Sequence, residues 1–129
     1  MEERIRFVEH KGKQVLLVDV SHCSAHDVET LARLVPTYVT TEPEASVLLL
    51  ADFTGAEFSR VAVDRLKEST VFDRPHIKRS AWVGMETLPN VFYEHIKSFS
   101  RRELPVFKTR EEAMDWLVQD ERPFPSALK

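Results

Sequence analysis

The chain has 129 residues, 43% of them apolar, a net charge of −3, three Gly, seven Pro and a single Cys. One Cys excludes an internal disulfide, and three mutually distant glycines exclude a Gly-rich phosphate loop or a dinucleotide fingerprint. The four tightly spaced Cys or His of a structural zinc domain are also lacking, so the fold must stand on its own core, and the length suits one domain over residues 1–129.

The N-terminus is charged from its second residue, and the longest apolar run, Val47 to Ala51, falls far short of the ~20 residues a membrane helix needs. The expectation is a cytoplasmic protein of a reducing compartment with no membrane span. Residues 1–59 are net acidic and residues 60–102 net basic. The acidic total argues against nucleic acid as a partner and for ordinary solvated faces.

Residues 4–8 alternate polar and apolar side chains, Lys11 to Lys13 read as a turn, and 14–20 is an apolar, β-branched run, together a hairpin. Ser24 then precedes an amphipathic helix from Ala25, with Val28, Leu31, Ala32 and Val35 at helical spacing and a break or bend expected at Pro36. Residues 46–51 are continuously apolar, as in a strand buried on both faces. A second helix is expected over 58–69, with Val61, Ala62, Arg65 and Leu66 inward, and a strand over 77–83 closed by Gly84. Thr87 and Pro89 open a third helix whose buried stripe reads Leu88, Phe92, Ile96 and Phe99. Residues 104–107 form a short strand. Thr109 and Glu112 then make a capping box for a last helix that buries Ala113, Trp116 and Leu117, and 120–129 follow as a tail. Strands alternating with helices imply a mixed, mostly parallel sheet with an antiparallel N-terminal hairpin.

That order and four strings, VLLVDVSH (15–22), SVLLLADFTG (46–55), HIKRSAWVG (76–84) and LPVFKTREEAMDWL (104–117), resemble the STAS domain superfamily, in particular its SpoIIAA-like group, which is compared with CRAL-TRIO-type lipid carriers. The similarity spans about residues 4–119 and rests mostly on core strands and caps. It implies an α/β fold with a four- to five-stranded sheet, about four helices packed mainly to one side, and no catalysis. The work would then be regulatory binding of a partner protein, as in anti-sigma factor antagonists, or alternatively carriage or sensing of a lipid or other apolar small ligand between helices and sheet. In the antagonists a strand ends in an Asp, apolar, Ser/Thr turn, matched here by Asp52, Phe53 and Thr54, and a serine at the next helix start is phosphorylated. The serine's place falls near Val61, the family's Asp-Ser-Ser-Gly string is missing, and Ser59 lies two residues early.

Ligands of open α/β sheets gather outside the carboxyl ends of the strands. The candidate binding surface is therefore His22, Cys23, Phe53, Thr54, Gly55, Ser59, Gly84 and Met85. His22, Cys23 and His26 have chelating spacing but also suit a plain strand-to-helix turn, and no metal or other cofactor is assigned. Cys23 with His26 as its base is the one nucleophile reading, with no oxyanion site in view. His95 reads as a half-buried residue of the third helix's stripe, and His76 as a strand-entry residue. Asp19, inside an apolar strand, is placed beside Asp52 at the carboxyl edge; the two would either raise each other's pKa for acid/base chemistry or accept backbone amides. An uncovered edge or helix face also allows a homodimer.

Overall fold

The computed structural model describes residues 1–119, so the tail assigned to 120–129 lies outside the described residues. Strands β1 (Ile5–His10), β2 (Lys13–Asp19), β3 (Val47–Asp52), β4 (Ile77–Val83) and β5 (Val106–Phe107) form one sheet in that spatial order. Helices α1 (Ala25–Val39), α2 (Arg60–Asp73) and α3 (Asn90–Ser100) connect the later strands, and α4 (Arg110–Leu117) follows β5. β1 pairs antiparallel with β2, and every later pair is parallel. The hairpin turns through Lys11 and Gly12, both at positive φ, the two-residue turn whose twist matches the flanking strands.

Parallel crossovers are right-handed. Because β2, β3, β4 and β5 are added in one direction, α1, α2 and α3 must fall on one face of the sheet. Leu16, Val18, Leu49, Ala51 and Trp82 point to that face and pack against Val28, Leu31, Ala62, Leu66 and Ile96. Val15, Leu17, Leu48, Leu50, Ala81 and Val83 point the other way, where α4 covers them with Ala113 and Leu117. Every residue of β3 is buried, which explains its unbroken apolar run.

Three helices depart from their expected form. α1 is not broken at Pro36 but runs through it to Val39. The missing amide leaves the Ala32 carbonyl without its i+4 donor, but the Thr40 amide resumes the ladder on the Pro36 carbonyl at 2.9 Å, and the apolar stripe continues to Val39. α2 starts two residues later than expected and buries Val63, not Val61, which is 44% exposed. Its inner face continues as Ser69, Thr70 and Asp73, so polar residues hide the period. On α3, Phe99 is 51% exposed and His95 is also exposed, while Ser100 is buried. The Lys67 ammonium lies 4.9 Å from the Phe99 ring centre, a cation-π contact that tolerates solvent.

Ser24 and Thr109 cap their helices as the sequence implies, each accepting the amide three residues on, at 3.2 and 3.1 Å; Ser59, expected inside α2, is its cap instead and accepts the Ala62 amide at 3.0 Å.

Candidate functional site

β2 and β3 are in register so that Asp19 stands beside Asp52 at the carboxyl edge. Each begins the same turn. Asp19 Oδ1 accepts the Ser21 amide at 3.1 Å and the Ser21 hydroxyl at 2.6 Å; Asp52 Oδ1 accepts the Thr54 amide at 3.0 Å and the Thr54 hydroxyl at 2.7 Å. This short-range bond from a carboxylate to the backbone two residues on stops the strand and aims the chain outward. The Asp, apolar, Ser/Thr turn noted at Asp52 thus occurs twice, side by side. Arg110, the first residue of α4, spans the pair: its Nε donates to Asp52 Oδ2 at 2.6 Å and its Nη2 lies 3.0 Å from Asp19 Oδ1. Burial pushes the Asp19 carboxyl up, but the Ser21 hydroxyl and amide, with Arg110 and Arg4, outweigh it and hold the group below its ordinary range. Of the two readings of these aspartates, the amide-accepting one is therefore what the geometry displays.

The backbone ladder continues past the strands. The Val20 and His22 amides donate to the Asp52 and Thr54 carbonyls, and the Phe53 amide donates to that of Val83, each at 2.8 Å. His22, Gly55 and Gly84 all take left-handed backbone. At Gly84 a Cβ would sit 2.2 Å from Thr54 Oγ1 and 2.7 Å from its N and Cα, and at Gly55 one would sit 2.4 Å from His22 Nδ1. The loops are packed on each other as closely as backbone permits.

Of the residues assigned to this edge, His22, Thr54 and Gly55 are exposed and in mutual contact, with Gly84 buried beneath Thr54 and Met85 half-buried beside it. Phe53 does not face outward. It is 1% exposed, its ring centre 5.0 Å from that of Trp82 and 5.7 Å from that of Phe58, so it belongs to the core. Cys23 is buried as well, and burial pushes its thiol up, away from the thiolate a nucleophile needs. Ser59 is half-buried and spends its oxygen on the α2 cap. Among the described residues, no three or more His, Cys, Asp or Glu are gathered as a metal site, the His22, Cys23, His26 set included. His76 Nδ1 meets the Glu42 carbonyl at 2.7 Å, a strand-entry contact.

A second feature lies under the helices. A cavity of about 50 Å³ sits between α1, α2 and the sheet, walled mainly by apolar residues such as Val28, Leu31 and Trp82. Asp73, Arg102, Thr70 and Ser80 also line it. Asp73 Oδ2 accepts the Ser69 hydroxyl at 3.2 Å, whereas Asp73 Oδ1 and Arg102 Nε and Nη1 are buried with no hydrogen-bond partner among the described residues. Burial drives the Asp73 carboxyl up to about 7, against the smaller pull of Ser69, Arg102 and His76. Arg110, Asp73 and Arg102 are absent from the candidates drawn from sequence. A pair of strand-end carboxylates does call for a cation, but nothing in the spacing says which one.

The fold is SpoIIAA-like: among the described residues, a hairpin-led mixed sheet with α1, α2 and α3 on one face and α4 on the other. A similar solved structure is an uncharacterised DUF3478-family protein from Shewanella loihica, itself described as SpoIIAA-like. It superposes with a TM-score of 0.66 at 20% identity, over 88% of this chain and 91% of the other. No protein-family model and no curated protein matches the sequence. Among the described residues no helix is long and apolar enough to cross a membrane.

Proposed function

We propose that this protein is a non-enzymatic, cytoplasmic regulatory module that binds a partner protein through the carboxyl edge of its sheet. The observation that carries this reading is the doubled Asp-x-Ser/Thr turn locked by Arg110, which holds His22, Thr54 and Gly55 at the surface in one rigid arrangement. A preformed surface binds without paying for loop ordering, and strand ends offer it the backbone polar groups that recognition uses. Phe53 and Ser59 support the edge from within, and the phosphoserine switch of the antagonists is not part of the proposal. Substituting two exposed residues tests it, His22 and Glu86, the residue that follows Met85 in the turn after β4: His22→Glu with Glu86→Lys should abolish co-purification of the partner while leaving the melting temperature within about 2 °C. Unimpaired capture would sink the assignment.

A second reading is favoured by the cavity beneath α1 and α2: a small apolar ligand held between helices and sheet. About 50 Å³ has room for a water or two and is below the volume of a lipid tail, so a ligand of any length must also use space outside it.

A further inference from the structure

We infer that the cavity is the inner end of a site for a small apolar carboxylic acid, whose carboxyl group is held by Arg102 and Asp73 and whose tail passes Ala32 into the groove between α1 and α2. This rests on the second reading above and adds the chemistry of the head group and the route of the tail.

Two observations point to the head group. Asp73, only 5% exposed, leaves Oδ1 without a hydrogen bond in a chamber lined mainly by apolar residues, and Arg102 leaves two donor nitrogens unmet in the same wall. Buried polar atoms in this state cost free energy unless something satisfies them. A carboxyl group is the complement of both: its oxygens accept from Arg102, and a proton shared with Asp73 Oδ1 joins the two acids. An alcohol satisfies only part of this set, and an alkylamine would set a cation against Arg102.

The route comes from the wall. Outside the cavity, α1 and α2 enclose an open groove of about 370 Å³ lined by Pro36, Thr40 and Phe72 together with the charged Arg33, Arg65 and Glu68. Ala32 lines both spaces, and Ser69, which also lines the groove, carries the hydroxyl bound to Asp73. The two spaces thus meet at Ala32, beside Ser69. Pro36 lies one turn beyond Ala32 on α1 and cannot donate to the Ala32 carbonyl, so the helix is least tied there. Phe72, 63% exposed, supplies an apolar rim for the tail.

The Asp73 carboxyl is faced by Ser69 from its own helix, by Arg102 from the segment after α3 and by His76 from the turn before β4. A bound carboxylate needs Asp73 protonated, and that form dominates below about pH 7. Affinity for the acid should therefore fall about tenfold per pH unit above that point.

The test uses the full chain, with hexanoate, hexan-1-ol and hexylamine as probes, followed by calorimetry and by amide shifts of Ala32, Thr70 and Asp73. The expected result is saturable hexanoate binding at least about tenfold tighter than hexanol. The advantage should disappear in Arg102→Gln, return in part in Arg102→Lys, and decline from pH 7 to pH 8.5. If Arg102→Gln does not fold, the alcohol comparison and the pH series on the natural chain decide alone. Equal binding of hexanoate and hexanol would overturn the head-group assignment while leaving an apolar ligand site standing. Absence of binding by all three at millimolar concentration would overturn both.

Discussion

Arg110 is 37% exposed at its side chain yet touches two carboxylates that β2 and β3 deliver side by side, one of them only 8% exposed. Without a cation there, two neighbouring anions would repel at the point where the loops are most tightly packed. Arg110→Gln should therefore cost about 1–3 kcal/mol in urea unfolding at neutral pH, and less once the pH has fallen below the ordinary carboxylate range far enough to protonate Asp19, whose carboxyl is held down in the fold. An unchanged midpoint would show the pair to be held by Ser21 and Thr54 alone. Asp19 and Asp52 were legible in the sequence because a carboxylate ending an apolar run must lie near an edge. Arg110 was not, because it comes from a distant helix. Asp73 supports a second expectation. Its folded-state value, about 7, stands above the ordinary 3.8 because of burial, so the folded protein keeps a proton that the unfolded chain has lost. That stabilisation is complete below about pH 4 and is lost as pH rises to about 7. Asp73→Asn, which cannot ionise, should gain stability relative to the natural chain between pH 5 and pH 8, by roughly a few kcal/mol. Parallel profiles would contradict a buried Asp73.

At the scale of elements, the sequence was most readable where one face is apolar throughout, as in β3 and the capped start of α4. It misled where two signals conflict. Polar Ser69, Thr70 and Asp73 occupy the inner face of α2, so Val61 looked buried and is not. On α3, Phe99 finds Lys67 on the surface, so an aromatic at helical spacing did not mean core. Pro36 read as a break or bend, but Val39, fully buried, draws the last turn of α1 onto the sheet. The helix continues at the expense of one hydrogen bond. Pro36→Ala should restore that bond and raise the melting temperature by several degrees, a gain of about 1–2 kcal/mol after the greater freedom of the unfolded chain is deducted. A lower melting temperature would mean that the proline's rigidity outweighs the lost bond.

For the molecule as a whole, one topological fact positions both candidate sites. Adding parallel strands in a single direction puts three helices on one face, which creates the chamber beneath α1 and α2, and brings the ends of β2, β3 and β4 to one edge. The alternation of elements made this fold legible, and the similarity to the Shewanella protein bears it out at 20% identity, where likeness extends to fold alone. The candidate edge was legible in part. His22, Thr54, Gly55 and Gly84 do converge there, but Phe53 and Cys23 point inward, because a residue at a strand end belongs to the surface only if its side chain alternates outward. The central claim is that the exposed edge is the partner surface, and the affinity of the recovered partner for His22→Glu/Glu86→Lys tests it most directly. At least about a tenfold loss of affinity with an unchanged melting temperature is expected. Equal affinity, together with loss of binding on charge reversal at Lys13 on the far side of the hairpin, would contradict it.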